Sequence, residues 1–428
     1  MKEAFEGFAY RNGELYCDDA PVAEICERYG TPLYIYSHAA LTGRFRRLRE
    51  AFSGVDATIC YSVKSNSNIA VIRALAQEGA GADIVSVGEL RRALSAGVDP
   101  QKIVFAGVGK TEAEIAEALD AGILAFAVES APEAYAVGRA AEKAGKRAPI
   151  TLRINPDVDA KTHRHTTTGK KGVKFGVDID AAPRLFKELE NHAHLDVCGA
   201  HIHLGSPVTT IEAYESAMDK AVALIAKLRD NGSRSLRLLN MGGGLPIVYK
   251  DETELDLNEY ARVMMDGAAK VGCRLALEPG RYISGNSGIL CARVLYRKET
   301  GHKTFIIVDG AMNDLIRPSF YGSWHEIRPV ELREREIETV DVVGPICESG
   351  DFLAKDRSLP RMEAGETLAI FSAGAYGFVM SSNYNSRPRA AEAMTIGGEA
   401  LLIRERETLD DLTRGERIPE ILLDGKES

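Results

Sequence analysis

Four short strings in this 428-residue chain carry side chains suited to a shared chemistry. Tyr61-Ser-Val-Lys64-Ser-Asn66 sets a lysine directly after an apolar run. When water is excluded, such an amine loses its proton more readily and can form a Schiff base with a carbonyl. His201-Ile-His203-Leu-Gly-Ser206 offers two imidazoles and a hydroxyl beside a turn-forming glycine. In a strand both histidines point to one side, so spacing does not choose between them. No third ligand stands at metal-motif spacing, and no metal is expected. Gly242-Gly243-Gly244 lets backbone amides approach an anion closely. It is not the GxGxxG pattern of a dinucleotide site. In Glu278-Pro-Gly-Arg281 a carboxylate precedes a guanidinium by three residues. The two could simply pair, or one could meet a ring nitrogen and the other a phosphate.

What must position these groups is a set of short apolar runs rich in Val and Ile. The candidate strands are Thr58–Val63, Ala82–Ser86, Ile103–Ala106, Leu124–Val128, Ile150–Ile154, Val197–His203, Leu236–Asn240 and Arg274–Leu277. Helical patterns lie between most of them, as in Asn68–Glu78, Thr111–Ala121, Ala131–Ala144 and Ile211–Leu228. Strands alternating with helices predict parallel βαβ units, and eight of them predict a closed (β/α)8 barrel. Function in such a barrel sits at the carboxyl ends of the strands, where all four strings fall. A ligand meeting all of them has a phosphate, an electrophilic carbonyl and a basic ring nitrogen. Pyridoxal 5'-phosphate satisfies the three conditions.

After residue 285 helical periodicity fades. Gly288–Tyr296, Lys303–Val308, Glu336–Val343 and Glu366–Phe371 read as strands. The first 35 residues include an extended run at Pro32–Tyr36 and are expected to join this β domain. The expected partition is residues 36–284 for the barrel, and 1–35 plus 285–428 for a mostly β domain of sandwich or barrel type.

Composition narrows the function. Lys and Arg number 53 against 62 Asp and Glu, a net charge of −9 that argues against nucleic acid. Arg44–Arg49 and Arg333–Arg335 read as solvated faces. The longest charge-free run, Thr367–Ser386, is too rich in Gly, Ser and Asn to span a bilayer. Met1–Tyr10 lacks the basic-then-apolar order of a signal peptide. The seven cysteines, at 17, 26, 60, 198, 273, 291 and 347, are odd in number and form no CxxC, which suits a reducing cytoplasm. Ala106-Gly-Val-Gly-Lys-Thr111 invites a phosphate-loop reading, but the first glycine of that motif is replaced by Val104. The better reading is a turn with Thr111 as N-cap and Glu114 completing a capping box.

From about Tyr34 to Arg404 the chain resembles the alanine racemase-like, fold type III class of pyridoxal-phosphate enzymes, and within it the diaminopimelate decarboxylase family. The most specific strings are Val308-Asp-Gly-Ala-Met-Asn-Asp-Leu-Ile-Arg317-Pro-Ser-Phe-Tyr321, Gly344-Pro-Ile-Cys347-Glu348-Ser-Gly-Asp, and Gly374-Ala-Tyr376-Gly through Asn383-Tyr-Asn-Ser-Arg-Pro-Arg389. The resemblance implies decarboxylation of meso-2,6-diaminopimelate to L-lysine and CO2, the last step of lysine biosynthesis. It makes Lys64 the Schiff-base lysine and sets His203 against the cofactor ring. Ser206, Gly242, Gly243, Gly244, Arg281 and Tyr376 would hold the phosphate, Glu278 the ring nitrogen, and Asp83 and Arg153 would belong to the cofactor shell. Substrate would meet Arg281, Arg317, Tyr321, Glu348 and Tyr376. Cys347 would donate the proton, reaching the site from the partner subunit of a homodimer with shared active sites.

The residue types agree with that implication. A carboxylate favours a protonated ring nitrogen and thus a strong electron sink, whereas the racemases of the class place an arginine there. Cysteine is a weak acid whose pKa a site can tune. Arg317 can fork onto a distal carboxylate and Glu348 can accept from an ammonium, as a substrate with an amino-acid group at its far end requires. One stretch, His163-Arg-His-Thr-Thr-Thr-Gly169, departs from the family pattern of His-Pro-Tyr-Ile-Ser-Thr-Gly. Other decarboxylases of the class, acting on ornithine, arginine or carboxynorspermidine, and a non-catalytic pyridoxal-phosphate-binding protein remain as alternatives.

Overall fold

In the computed structural model, which describes residues 5–158 and 174–423, eight parallel strands close on themselves. They are β1 (Ala57–Ser62), β2 (Gly81–Ile84), β3 (Ile103–Phe105), β4 (Ala125–Val128), β5 (Ala148–Asn155), β6 (Leu195–Ile202), β7 (Leu238–Asn240) and β8 (Arg274–Leu277). The ring closes where Leu275, Ala276 and Leu277 of β8 pair with Ala57, Thr58 and Ile59 of β1. Helices follow the strands, among them Ile69–Gln77, Glu112–Ala121, Ala131–Lys143 and Ile211–Asp230. The expected barrel is therefore present. Individual ends differ by a residue or two, as at β7, which begins at Leu238 rather than Leu236.

Side-chain alternation explains how the barrel fills. Ile59, Tyr61, Ile103, Phe105, Phe126 and Val128 face outward into the large core shared with the helices. Between them, Cys60, Val104 and Ala127 form a separate small cluster. Ala125, Cys198, Leu238 and Ala276 form another. Small inward side chains leave the mouth open for larger polar ones.

The phosphate-loop lookalike resolves as a helix start. Thr111 and Glu114 form the capping box. The Lys110 amine is buried and donates to Glu133 Oε1 at 2.6 Å and to the carbonyls of Gly107 and Ala127.

A second sheet runs in the order Phe352–Pro360, Ile337–Val343, Thr304–Val308, Gly288–Glu299, Leu33–Ser37, Ala391–Ile396, Glu399–Arg404. Leu33–Ser37, from the N-terminal segment, is an interior strand. Ile35 pairs antiparallel with Ile289 on one side and parallel with Ala393 on the other. Thr367–Ile370 pairs with Gly288–Glu299 and also with Ile327–Pro329. The extended run expected at Pro32–Tyr36 is the strand Leu33–Ser37, and the segment before it holds elements the sequence did not single out. It holds a small three-stranded sheet, Phe8–Arg11, Glu14–Cys17 and Ala20–Pro21, and the helix Val22–Tyr29. That helix buries Val22, Ile25 and Cys26 in a core shared with Leu33, Ile35, Cys291 and Phe371. No helix among the described residues is long and apolar enough to cross a membrane.

Candidate active site

The barrel mouth and the second sheet enclose a cavity of about 400 Å³. Its lining brings together Lys64, His203, Ser206, Arg281, Arg317, Tyr321 and Tyr376 from the sequence expectations. Lys64 lies in the turn Val63–Ser65 that directly follows β1. His203 follows β6, and Arg281 opens the short helix Arg281–Ser284 after β8. Arg317 and Tyr321 bracket a helix of the second domain. Tyr376 sits beyond Thr367–Ile370 at φ 56°, and its amide donates to the Ser65 carbonyl at 2.8 Å. Asn66 Nδ2 likewise donates to the Gly374 carbonyl. The two domains are thus tied together at the lysine.

The lysine is held as an ammonium. Its Nζ donates to Asp83 Oδ2 at 2.7 Å. Burial alone pushes the amine's pKa down, but the charges of Asp83, Tyr376 and Glu278 outweigh it and raise the pKa above the ordinary 10.5. This corrects the expectation that desolvation leaves the amine free. Asp83 also accepts from Ser62 Oγ. Its own pKa is raised, by burial and then by Glu278, against the pull of Lys64.

The structure separates the two histidines that spacing could not. His201 is fully buried with Nε2 3.2 Å from Glu278 Oε2, while His203 lines the cavity. Asn240 Nδ2 donates to Glu278 Oε1 at 2.6 Å. Burial would raise the Glu278 pKa, yet His201, Lys64 and His203 together bring it well below the ordinary carboxylate range. Glu278 is therefore an anion behind the cavity wall. His203 is the opposite case. Burial first, then Arg153 and Lys64, pushes its pKa well below 6.5. Its Nδ1 accepts from the Gly243 amide at 3.2 Å, so the neutral ring carries its proton on Nε2.

The glycine turn is as tight as its sequence suggested. Gly242 and Gly244 lie at φ 65° and 103°, and a Cβ on Gly243 would fall 2.1 Å from the Glu278 carbonyl oxygen. Arg281 Nε donates to Ser206 Oγ at 3.1 Å and its Nη1 to Tyr249 Oη at 2.7 Å. Arg317 Nη2 donates to Tyr249 Oη at 3.1 Å and to Ser323 Oγ at 3.2 Å. Both guanidiniums are buried, and neither forms an ion pair with a carboxylate among the described residues. A pocket with an amine, two buried guanidiniums, an anionic glutamate and a cradle that only glycine can form fits pyridoxal phosphate.

Arg153, at the end of β5, pairs with Glu129 at 2.8 Å and lies over the Phe175 ring. Glu129 Oε2 also accepts from the Gly176 amide. The departing string His163–Gly169 lies outside the described residues. Cys347 and Glu348 are not brought into the cavity of their own chain. They are exposed on the turn between Ile337–Val343 and Phe352–Pro360. That turn is pinned: Asp351 Oδ2 accepts from the Ile346 amide, and Asn385 Oδ1 accepts from the Cys347 amide at 2.9 Å. The other cysteines are buried or half-buried, and burial raises the thiols of Cys17, Cys60, Cys198 and Cys291.

The cavity also contains residues the sequence did not single out: Pro207, Tyr249, Glu252, Ser323 and Trp324. Tyr249 and Glu252 follow β7, where barrel loops commonly reach a phosphate, and that position was the available signal. Trp324 is the chain's single tryptophan.

Comparison with known proteins agrees with this geometry. A family profile described as "Pyridoxal-dependent decarboxylase, pyridoxal binding domain" matches residues 38–285. The diaminopimelate decarboxylase of Vibrio cholerae is 47% identical over 402 residues, covering 94% of this chain and 96% of the relative. The structure of diaminopimelate decarboxylase from Helicobacter pylori complexed with L-lysine superposes with a TM-score of 0.89 at 40% identity, over 92% of this chain and 98% of that one. The enzyme of M. jannaschii in co-complex with L-lysine superposes with a TM-score of 0.93 at 35% identity, over 98% and 99% of the two chains.

Proposed function

The chain belongs to the diaminopimelate decarboxylases, a family of pyridoxal-dependent carboxy-lyases, and we propose from that premise how its own residues take meso-2,6-diaminopimelate to L-lysine and CO2. The carrying observation is the pair of buried guanidiniums, Arg281 and Arg317, joined through Tyr249 beside the Lys64 amine. A phosphate and a distal carboxylate are the two anions such a pocket accommodates.

Bound pyridoxal phosphate supplies the electron sink for the carbon that loses carboxylate. Lys64 would hold it covalently, and Ser206, Arg281 and the amides of Gly243 and Gly244 would hold its phosphate. Glu278, kept ionised by His201 and Asn240, favours a protonated ring nitrogen by charge. His203 is neutral and offers a ring face without adding positive charge beside that nitrogen. Arg317 takes the distal carboxylate in a fork, and Tyr321 flanks it, with the Arg317 guanidinium 5.5 Å from its ring.

Cys347 and Glu348 serve the neighbouring subunit of a homodimer. Cys347 delivers the proton to carbon, and Glu348 accepts from the distal ammonium. Their exposure on a pinned turn, away from their own cavity, supports the shared site. Seven free thiols support a reducing, cytoplasmic setting.

The test is a substrate panel with the cofactor-loaded protein, reading CO2 and amine product from meso-diaminopimelate, ornithine, arginine and carboxynorspermidine. Lysine and CO2 from meso-diaminopimelate alone are expected. Turnover of ornithine or arginine in its place overturns the reading.

A further inference from the structure

Two like charges stand close together in the lining of the cavity. The Arg281 and Arg317 guanidiniums lie 5.0 Å and 5.9 Å from the centre of the same Tyr376 ring. Both are buried, where repulsion is weakly screened. One oxygen lies between them. Tyr249 Oη accepts from Arg281 Nη1 at 2.7 Å and from Arg317 Nη2 at 3.1 Å. Burial would raise the Tyr249 pKa, but the two arginines reverse this and lower it below 10. The hydroxyl oxygen is thus held as an acceptor toward both guanidiniums. The ring is itself fixed, edge-on to His325 with centroids 5.7 Å apart. His325 in turn bonds the Phe371 carbonyl through Nδ1 at 2.8 Å.

We infer that Tyr249 is a positioning residue that bridges the two anion-binding arginines and sets the spacing between the cofactor's phosphate site and the substrate's distal carboxylate site. The inference rests on the assignment of those two sites above. The bridge occupies one N–H of each guanidinium, Ser206 takes a second from Arg281 and Ser323 a second from Arg317, and the remaining donors of each fork face ligand. It offsets the repulsion that would otherwise swing the arginines apart. Ligands matched to one fixed spacing are favoured, which makes Tyr249 a specificity determinant as well as a support.

The test uses Tyr249→Phe, which removes one oxygen and keeps the ring. Cofactor-free protein is titrated separately with inorganic phosphate, a probe for Arg281, and with pimelate, a dicarboxylate probe for Arg317. Trp324 lines the same cavity and is the only tryptophan, so its fluorescence reports both. The variant is expected to bind each probe roughly tenfold more weakly, the scale of a hydrogen bond to a charged group. Arg317→Ala is expected to weaken pimelate and spare phosphate. In turnover, KM for meso-diaminopimelate should rise by a larger factor than kcat falls. Tyr249→Gln keeps an acceptor oxygen and should recover part of both affinities. Loss of only one affinity, or of neither, in Tyr249→Phe overturns the bridge. A wild-type protein that does not decarboxylate meso-diaminopimelate but gives the expected titrations would overturn the substrate and leave the bridge standing.

Discussion

The Nε2 of His201 stands 3.2 Å from Oε2 of Glu278, and both residues are buried beneath the strand-end loops. An ionised carboxylate in that position is stable because the imidazole and the Asn240 amide compensate it. Replacing His201 with leucine removes one of those partners and should lower the unfolding free energy by about 3 kcal/mol near neutral pH. The folded pKa of Glu278 lies below its ordinary 4.5, so its contribution is present above that pH and is lost as pH falls toward the folded value. The gap between wild type and His201→Leu, read by urea unfolding, should therefore shrink on acidification below pH 4.5. A gap independent of pH would show that Glu278 is not the charge His201 supports.

The Asp83 carboxylate is the strongest of the charges that raise the Lys64 pKa. Asp83→Asn should free the amine at lower pH. Capture of pyridoxal phosphate by cofactor-free protein, followed by absorbance and by borohydride fixation on Lys64, should then have its pH profile displaced downward. The profile of wild-type protein should rise only at more alkaline pH. Coincident profiles would remove Asp83 from this role.

Arg317 is buried, and burial lowers its pKa, with Tyr249 and Tyr376 acting against that effect. Arg317→Ala should raise KM for meso-diaminopimelate by roughly a hundredfold, the scale of lost hydrogen bonds to a charged carboxylate. Cofactor absorbance should be retained. An unchanged KM would show that another group takes the distal carboxylate.

If Cys347 acts in a partner's cavity, two inactive variants should repair one another. Lys64→Ala and Cys347→Ala, each nearly inactive alone, should regain roughly a quarter of wild-type activity when mixed, dissociated and reassociated in equal amounts, because half the random dimers contain one intact site of two. No recovery, with mixed dimers present by mass, would place the proton donor elsewhere.

The barrel was legible because its strands are short, apolar and regularly spaced, and because each chemistry-bearing string ends one of them. Lys64, His203, Ser206, Arg281 and the glycine turn all follow strands, and the cavity gathers the first four, with the Gly243 amide held behind them on His203. Tyr249, Glu252 and Trp324 were not legible. They sit in irregular loops, where no periodicity fixes direction and only the folded chain decides what faces the cavity. The choice between His201 and His203 was hidden for a related reason. Identical side chains two apart share a face in an ideal strand, but β6 ends at Ile202, so His203 is released into the loop. The helix Val22–Tyr29 was missed because its apolar stripe is only three residues wide.

Leu33–Ser37 is hydrogen-bonded on one side to a strand beginning at Gly288 and on the other to one beginning at Ala391. During synthesis this strand leaves the ribosome early and must wait for both neighbours. At roughly 5–20 residues per second the second of them follows tens of seconds later. Within that interval the barrel acquires all eight of its own strands, ending at Leu277, while the apolar Leu33-Tyr-Ile-Tyr36 run still lacks both neighbours. The long wait marks this run as the place where a holding chaperone would most benefit the protein's biogenesis, and where a ribosome stalled before Ala391 would leave an aggregation-prone product.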